Sequence, residues 1–259
     1  MGEAVVRGLL GAGWESEEIV TAVRREVRLH DVETRIGVAC HMDPIEATTE
    51  RDVIVVAVKP RDVPSLLDAV AGSIRPEQVV ISIAAGVPIA VFEHALHGVP
   101  VIRAMPNTPS LVKEGVTAIA GGTWVSEDHL ARARRVLEAV GSVIAMDESL
   151  LDAVTAVSGS GPAYVFLLAE ALEEAAVREG LPHDIATALV RQTVRGAGHL
   201  LTDTTTRPGE LRAQVTSPGG TTAAAMHVLE EHGFRALLED AVQAAAARSR
   251  ELGRMASEG

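Results

Sequence analysis

Two glycine-rich turns carry the residue types that could hold a small acid. "TSPGGTT" (Thr216–Thr222) sets Ser217, Gly219, Gly220, Thr221 and Thr222 directly before an apolar, helix-forming run. Unpaired backbone N–H groups at a helix start, joined by hydroxyls, form a cradle for a carboxylate. "SGSGPAY" (Ser158–Tyr164) places glycines and a proline before a second strong helical run, which implies a bent start to that helix. Ordinary capping would account for either turn alone. Both together, with "MPNTP" (Met105–Pro109) at the end of a strand-like run, point to a substrate site.

The residue types also narrow the chemistry. Ketone reduction creates an alkoxide and calls for a strong proton donor, usually Lys or His. No lysine follows Lys113, and His183, His199, His227 and His232 lie in helical contexts that read as surface or packing. A protonated imine already carries the charge that attracts hydride, so hydroxyls and amides could orient it while proximity supplies much of the rate. An anionic imine therefore suits the turns better than a hydroxy acid.

A hydride donor needs its own platform, and the first part of the chain supplies the pattern for one. β-branched runs at Ile19–Val23, Asp52–Val58, Gln78–Gly86 and Val99–Met105, with further candidates in "GVTAIAGG" and "SVIAMD", read as buried strands. Helical stretches separate them at Gly2–Ala12, Arg61–Ala71, Ile89–Ala95 and Ser126–Val140, the last with a start at Ser126 and a stop at Gly141. This alternation implies an α/β, Rossmann-like domain over residues 1–147, with a mostly parallel sheet that binds a dinucleotide at the carboxyl ends of its strands.

Four features fall at that end. Gly2 opens a helix where the last glycine of a phosphate loop would sit. Arg24 and Arg25 follow a strand where an acid would read ribose hydroxyls, which favours NADP(H) and leaves NAD(H) possible. Ala57, Val58, Lys59 and Pro60 leave the third strand abruptly. Ala84, Ala85 and Gly86 allow a close backbone approach. Each feature alone is weak; together they indicate a cofactor site.

Beyond residue 147 the strand pattern stops. Helical segments at Glu148–Val157, Ala163–Glu179, Pro182–Leu201, Thr221–Glu231 and Phe234–Leu252 follow, several apolar on more than one face. A helix apolar all round must be buried, and a small helical domain (148–259) has too little interior for so many, so burial between subunits is expected.

Composition bounds the rest. A net charge of −12 over 259 residues argues against nucleic acid as the main partner. With an aromatic content of 2% the core must be aliphatic. The sole cysteine, Cys40, reads as a small buried hydrophobe. No basic-then-apolar leader opens the sequence, and the apolar run Val53–Val58 is too short to span a bilayer. No metal-ligand spacing is evident. A cytoplasmic enzyme acting on a small molecule, with no membrane partner, is expected.

"MGEAVVRGLL", "VVAVKP", "SIAAGV", "VIRAMPNTP", "AVSGSGPAY" and "VTSPGGTTAAAMHVLEEHGFR", in this order along essentially the whole chain, resemble the pyrroline-5-carboxylate reductases. The resemblance implies a Rossmann-like domain and an all-α dimerisation domain, and NAD(P)H-dependent reduction of 1-pyrroline-5-carboxylate to L-proline, the last step of proline biosynthesis. It also implies a homodimer that assembles into a larger ring such as a decamer. Carried across, Ser217, Gly219, Gly220, Thr221 and Thr222 hold the substrate carboxylate, with Thr222 near the ring nitrogen as the catalytic group. Met105, Pro106 and Asn107 lie by the nicotinamide, while residues 57–60 and 84–86 line the cofactor.

Two departures stand out. "HMDPIEA" occupies the place where related sequences often put an asparagine, and the strand and Gly-x-Gly turn that normally precede "MGEA" are missing. That strand would be central in the sheet. The expectation is that Met1 is an internal methionine of the motif and that the natural product begins several residues upstream. The alternatives are a catalytically impaired relative lacking the pyrophosphate loop, or a hydroxyacid dehydrogenase of similar architecture.

Overall fold

The computed structural model describes residues 1–258, which form two compact units: residues 1–160 with 244–258, and residues 161–243. This division falls at different residues from the 147/148 boundary expected from sequence.

The first unit opens with helix α1 (Gly2–Gly11), followed by β1 (Val20–Ala22), α2 (Glu26–Arg35), β2 (Ala39–His41), α3 (Pro44–Thr48) and β3 (Val53–Val56). It continues with α4 (Val63–Val70), β4 (Val79–Ser82), α5 (Ile89–Ala95), β5 (Val101–Met105), β6 (Gly115–Gly121), α6 (Glu127–Leu137), β7 (Gly141–Ala145) and the short α7 (Leu151–Val154). β3, β4, β5, β6 and β7 form one sheet in that order, parallel except for the β5–β6 pair. β1 and β2 form a separate parallel pair.

Alternation along the strands sorts the core to two faces, as period-two geometry requires. Val80, Val101, Ala118 and Ala120 pack with Val63, Leu67 and Phe92 of α4 and α5. Val79, Ile81, Ile102, Ala104 and Ile119 pack with Val5, Leu9, Ala133 and Val136 of α1 and α6. β4 is buried along its whole length, which is why it reads as a continuous apolar run. Cys40 lies in the second cluster as a buried hydrophobe.

The sheet is split between β1 and β3. No strand pairs with either inner edge among the described residues. Val20, Thr21 and Ala22 on one side and Val53–Val56 on the other line a groove of about 960 Å³, floored in part by Val5 and Leu9 of α1.

Ser126 caps α6 as expected, its side chain accepting from His129 N while the imidazole accepts from Ser126 N. Gly141 ends that region at φ 142°, and a Cβ there would meet Gly115 O at 1.9 Å, so no other residue fits. In the last helix, α12 (Phe234–Glu258), Ser249 Oγ donates to Asp152 Oδ1 of α7 at 2.6 Å.

The second unit is helical: α8 (Gly161–Arg178), α9 (His183–Asp203), α10 (Pro208–Gln214), α11 (Thr221–Glu231) and the first part of α12. α8 packs along α9, with Thr187 Oγ1 donating to Glu173 Oε2 at 3.2 Å. Much of its apolar surface is uncovered among the described residues: Phe166 is 66% exposed, Leu167 65% and Leu237 63%. The helical run Glu148–Arg178 is long and apolar enough, by length and composition, to cross a membrane.

Candidate active site

The parallel register places Val56 opposite Ser82, and Ser82 opposite Arg103. Residues 57–60, 83–86 and 106–107 therefore leave the same carboxyl edge of the sheet, the edge at which open α/β sheets bind ligands. Ala57 and Lys59 are exposed there, Val58 and Pro60 half-buried.

Gly2 joins this edge. A Cβ on Gly2 would sit 2.9 Å from Ala57 Cβ, so only glycine lets α1 start this close to the exit of β3. No side chain caps the first turn of α1, which leaves its N–H groups open to an anion. Those open amides beside a close-packed glycine fit the pyrophosphate of a dinucleotide.

Arg24 reaches the same edge from β1. Its Nη1 and Nη2 donate to Asp62 Oδ1 and Oδ2 at 3.0 and 2.8 Å, in the turn that follows Lys59 and Pro60. Arg25 is exposed. Sequence reasoning placed the two arginines; it missed Asp62, which lies far from them in the chain.

Gly86 has φ +78°, a left-handed conformation that favours glycine, and its backbone approaches Leu252 and Gly253 of α12. Ala84 is buried and Ala85 exposed, so one residue of this turn faces outward.

At the end of β5, Met105 lies against the second glycine-rich segment. Thr155–Gly159 forms a π-helical turn, a local widening often found at functional sites. A Cβ on Gly159 would meet Met105 Cε at 2.7 Å. Asn107 is buried, and its side chain is committed at both ends: Oδ1 accepts from Val116 N at 2.9 Å and Nδ2 donates to Ser158 O at 3.2 Å. Asn107 therefore positions the segment rather than presenting a free amide. Pro106 beside it is buried.

Beneath this edge, Glu148 Oε1 accepts from Ile89 N at 2.8 Å and from Arg103 Nη1 at 3.1 Å. The carboxylate caps α5 and balances a nearly buried guanidinium, and no sequence signal announced it.

The Thr216–Thr222 turn belongs to the second unit. Gly219 adopts φ +69°, Gly220 N donates to Ser217 O at 3.0 Å, and Thr216 Oγ1 donates to Arg212 O at 2.6 Å. Gly220 is the residue before α11, and no side chain caps that helix. Ser217, Gly219 and Thr221 are exposed; Gly220 and Thr222 are half-buried. Open amides, the hydroxyls of exposed Ser217 and Thr221, the former set against Gly220, and that of half-buried Thr222 compose a binding site for a carboxylate with a polar group beside it. Arg235 and Arg212 pair with Glu230 at the far end of α11, and these bonds, Arg235 foremost, hold the Glu230 carboxyl below its ordinary value. Among the described residues, no three His, Cys, Asp or Glu side chains gather as metal ligands.

A family profile described as pyrroline-5-carboxylate reductase dimerisation matches residues 148–252, and one described as NADP oxidoreductase, coenzyme F420-dependent, matches residues 1–86. A pyrroline-5-carboxylate reductase of Corynebacterium melassecola is 42% identical over 258 residues, covering 98% of this chain and 96% of that protein. The structure of a pyrroline-5-carboxylate reductase from Coxiella burnetii superposes with a TM-score of 0.92 at 37% identity, covering 97% of this chain and 94% of the other. The Plasmodium falciparum pyrroline carboxylate reductase with NADP bound gives a TM-score of 0.86 at 28% identity, covering 98% and 94%. With near full-length identity of this order joined to an α/β unit and a helical unit that bear the motifs in sequence order, the chain belongs to the pyrroline-5-carboxylate reductase family.

Proposed function

We infer that the chain catalyses NAD(P)H-dependent reduction of 1-pyrroline-5-carboxylate to L-proline, the last step of proline biosynthesis. The observation that carries this reading is the uncapped start of α11, where exposed Ser217 and Thr221 flank open amides beside half-buried Thr222. The amides and hydroxyls bind the carboxylate, and Thr222 Oγ1 orients the ring nitrogen. The nicotinamide cofactor, when bound, supplies the hydride. Gly2, Arg24, Arg25, Ala57–Pro60, Ala84–Gly86 and Met105–Asn107 form the face that holds it, with the open amides of α1 on the pyrophosphate. Arg24 and Arg25 serve the 2′-phosphate of NADP(H), and NAD(H) is accepted as well.

The uncovered apolar helices of the second unit support a homodimer, with further assembly into a ring such as a decamer. A second copy is the cover that a dimerisation profile over residues 148–252 favours, rather than a bilayer. The reading includes a cytoplasmic location.

A second reading, a relative with impaired turnover, draws on the open groove between β1 and β3, whose facing edges are unpaired among the described residues. Titrating the protein with NADPH and following 1-pyrroline-5-carboxylate-dependent oxidation separates the two. The first reading requires saturable turnover with proline as product; the second gives substrate binding without turnover.

A further inference from the structure

We propose that Asp62 is the resident anion of the 2′-phosphate subsite, and that it sets the choice between NADP(H) and NAD(H). The inference rests on the reading of Arg24 as the 2′-phosphate ligand.

Asp62 closes the short turn Pro60–Asp62, and its N–H donates to Lys59 O at 2.8 Å. Its side chain is only 15% exposed, against 71% for Arg24. The carboxylate is thus the sheltered partner, and the guanidinium reaches to it from the surface. The contact is bidentate, with both terminal nitrogens of Arg24 engaged. This is the geometry arginine also uses for phosphate.

Two consequences follow. Without a 2′-phosphate, Arg24 is already neutralised and carries no uncompensated charge, so a dinucleotide ending in a ribose hydroxyl meets a satisfied site. A 2′-phosphate must share the guanidinium with Asp62 and lie within a few ångströms of its negative charge, which weakens binding. Exposed Arg25 and Lys59 supply the remaining positive charge at this edge. Asp62 therefore lowers discrimination in favour of the phosphorylated cofactor and keeps the site open to both.

The test is calorimetric titration of the full chain with 2′,5′-ADP and with 5′-ADP, which differ at the contested position. Asp62→Asn keeps the shape of the side chain and removes its charge. It is expected to tighten 2′,5′-ADP by about three- to tenfold and to change 5′-ADP by less than about twofold. Asp62→Ser provides the same comparison if the amide variant fails to fold. Arg24→Gln is expected to weaken 2′,5′-ADP and narrow its advantage over 5′-ADP, leaving the share that Arg25 and Lys59 supply. If Arg24→Gln weakens 2′,5′-ADP but neither Asp62 variant tightens it, the role of Asp62 is overturned while that of Arg24 stands. If Arg24→Gln changes nothing, the subsite assignment fails and the inference falls with it.

Discussion

Asn107 and Ser158 are joined across the end of the sheet: the Asn107 side-chain amide donates to the Ser158 carbonyl at 3.2 Å, while its carbonyl oxygen accepts from Val116 N. One buried side chain thereby ties the exit of β5 to the π-turn before α8 and to the first residues of β6. Replacing it strands a buried N–H and a carbonyl. Asn107→Ala is expected to lower unfolding free energy by about 1–3 kcal/mol and to raise KM for cofactor, because the β5 exit loses its anchor. Urea unfolding and cofactor titration of the variant check both.

Glu148 offers a similar test away from the ligand face. It caps α5 at Ile89 N and pairs with Arg103, which is 8% exposed. Glu148→Ala leaves a guanidinium with little water and no partner. A loss of about 2–3 kcal/mol is expected, less than for a fully buried pair because the carboxylate itself is one-third exposed. Glu148→Gln, which keeps an acceptor for both donors, loses less in the same denaturant titration.

The pH dependence of the first unit carries a mark of Glu3. Hydrogen bonds from Arg7, then Arg28, hold its carboxyl below the ordinary value, and together they join α1 to α2. A carboxyl lowered in the folded state contributes stability that is present above its unfolded pKa, about 4.3, and is lost as pH falls through the folded value. The pairs are substantially exposed, so the contribution is small. Melting curves from pH 7 to pH 3 should show Glu3→Gln less stable than the parent by about 2 °C at most at neutral pH, with the two curves converging below pH 4. A constant offset throughout would assign the effect to packing instead.

Thr222 is the group whose loss separates binding from fold. It is half-buried in the first turn of α11, a helix whose start carries no side-chain cap. Thr222→Ala is expected to lower kcat by about ten- to a hundredfold, with Tm changed by no more than about 2 °C. Thr222→Ser, which restores the hydroxyl, should recover most of the rate. Unaltered steady-state kinetics in the alanine variant would remove Thr222 from its role.

What was legible in the sequence follows from how strongly each element depends on its own residues. β3 and β4 are β-branched runs, β4 and nearly all of β5 are buried along their length, and Ser126 with Gly141 punctuates α6, so local chemistry was enough to find them. α2 was missed because "EVRLHDVETR" is mostly charged and fully buries only Val32; the stripe that docks it, Val32 with half-covered Leu29 and Ile36, is thin, and pairs such as Arg35–Asp31 and Arg28 on Glu3 flank it. β2, three residues long, exists because it pairs with β1. α3 takes its start from Asp43, whose carboxylate accepts from Ile45 N, followed by Pro44, within the segment where related sequences often place an asparagine. The site divides in the same way. Glycine-rich turns and paired arginines announce themselves, whereas Asp62 on Arg24, Ser158 on Asn107 and Glu148 on Arg103 are meetings of distant residues that no local pattern encodes.

The most direct test of the reductase reading is NADPH oxidation by the purified 259-residue chain with 1-pyrroline-5-carboxylate, followed at 340 nm with proline quantified as product. The account predicts saturable, substrate-dependent oxidation with one proline formed per NADPH consumed. A folded protein that binds both NADPH and the imine yet forms no proline would contradict it.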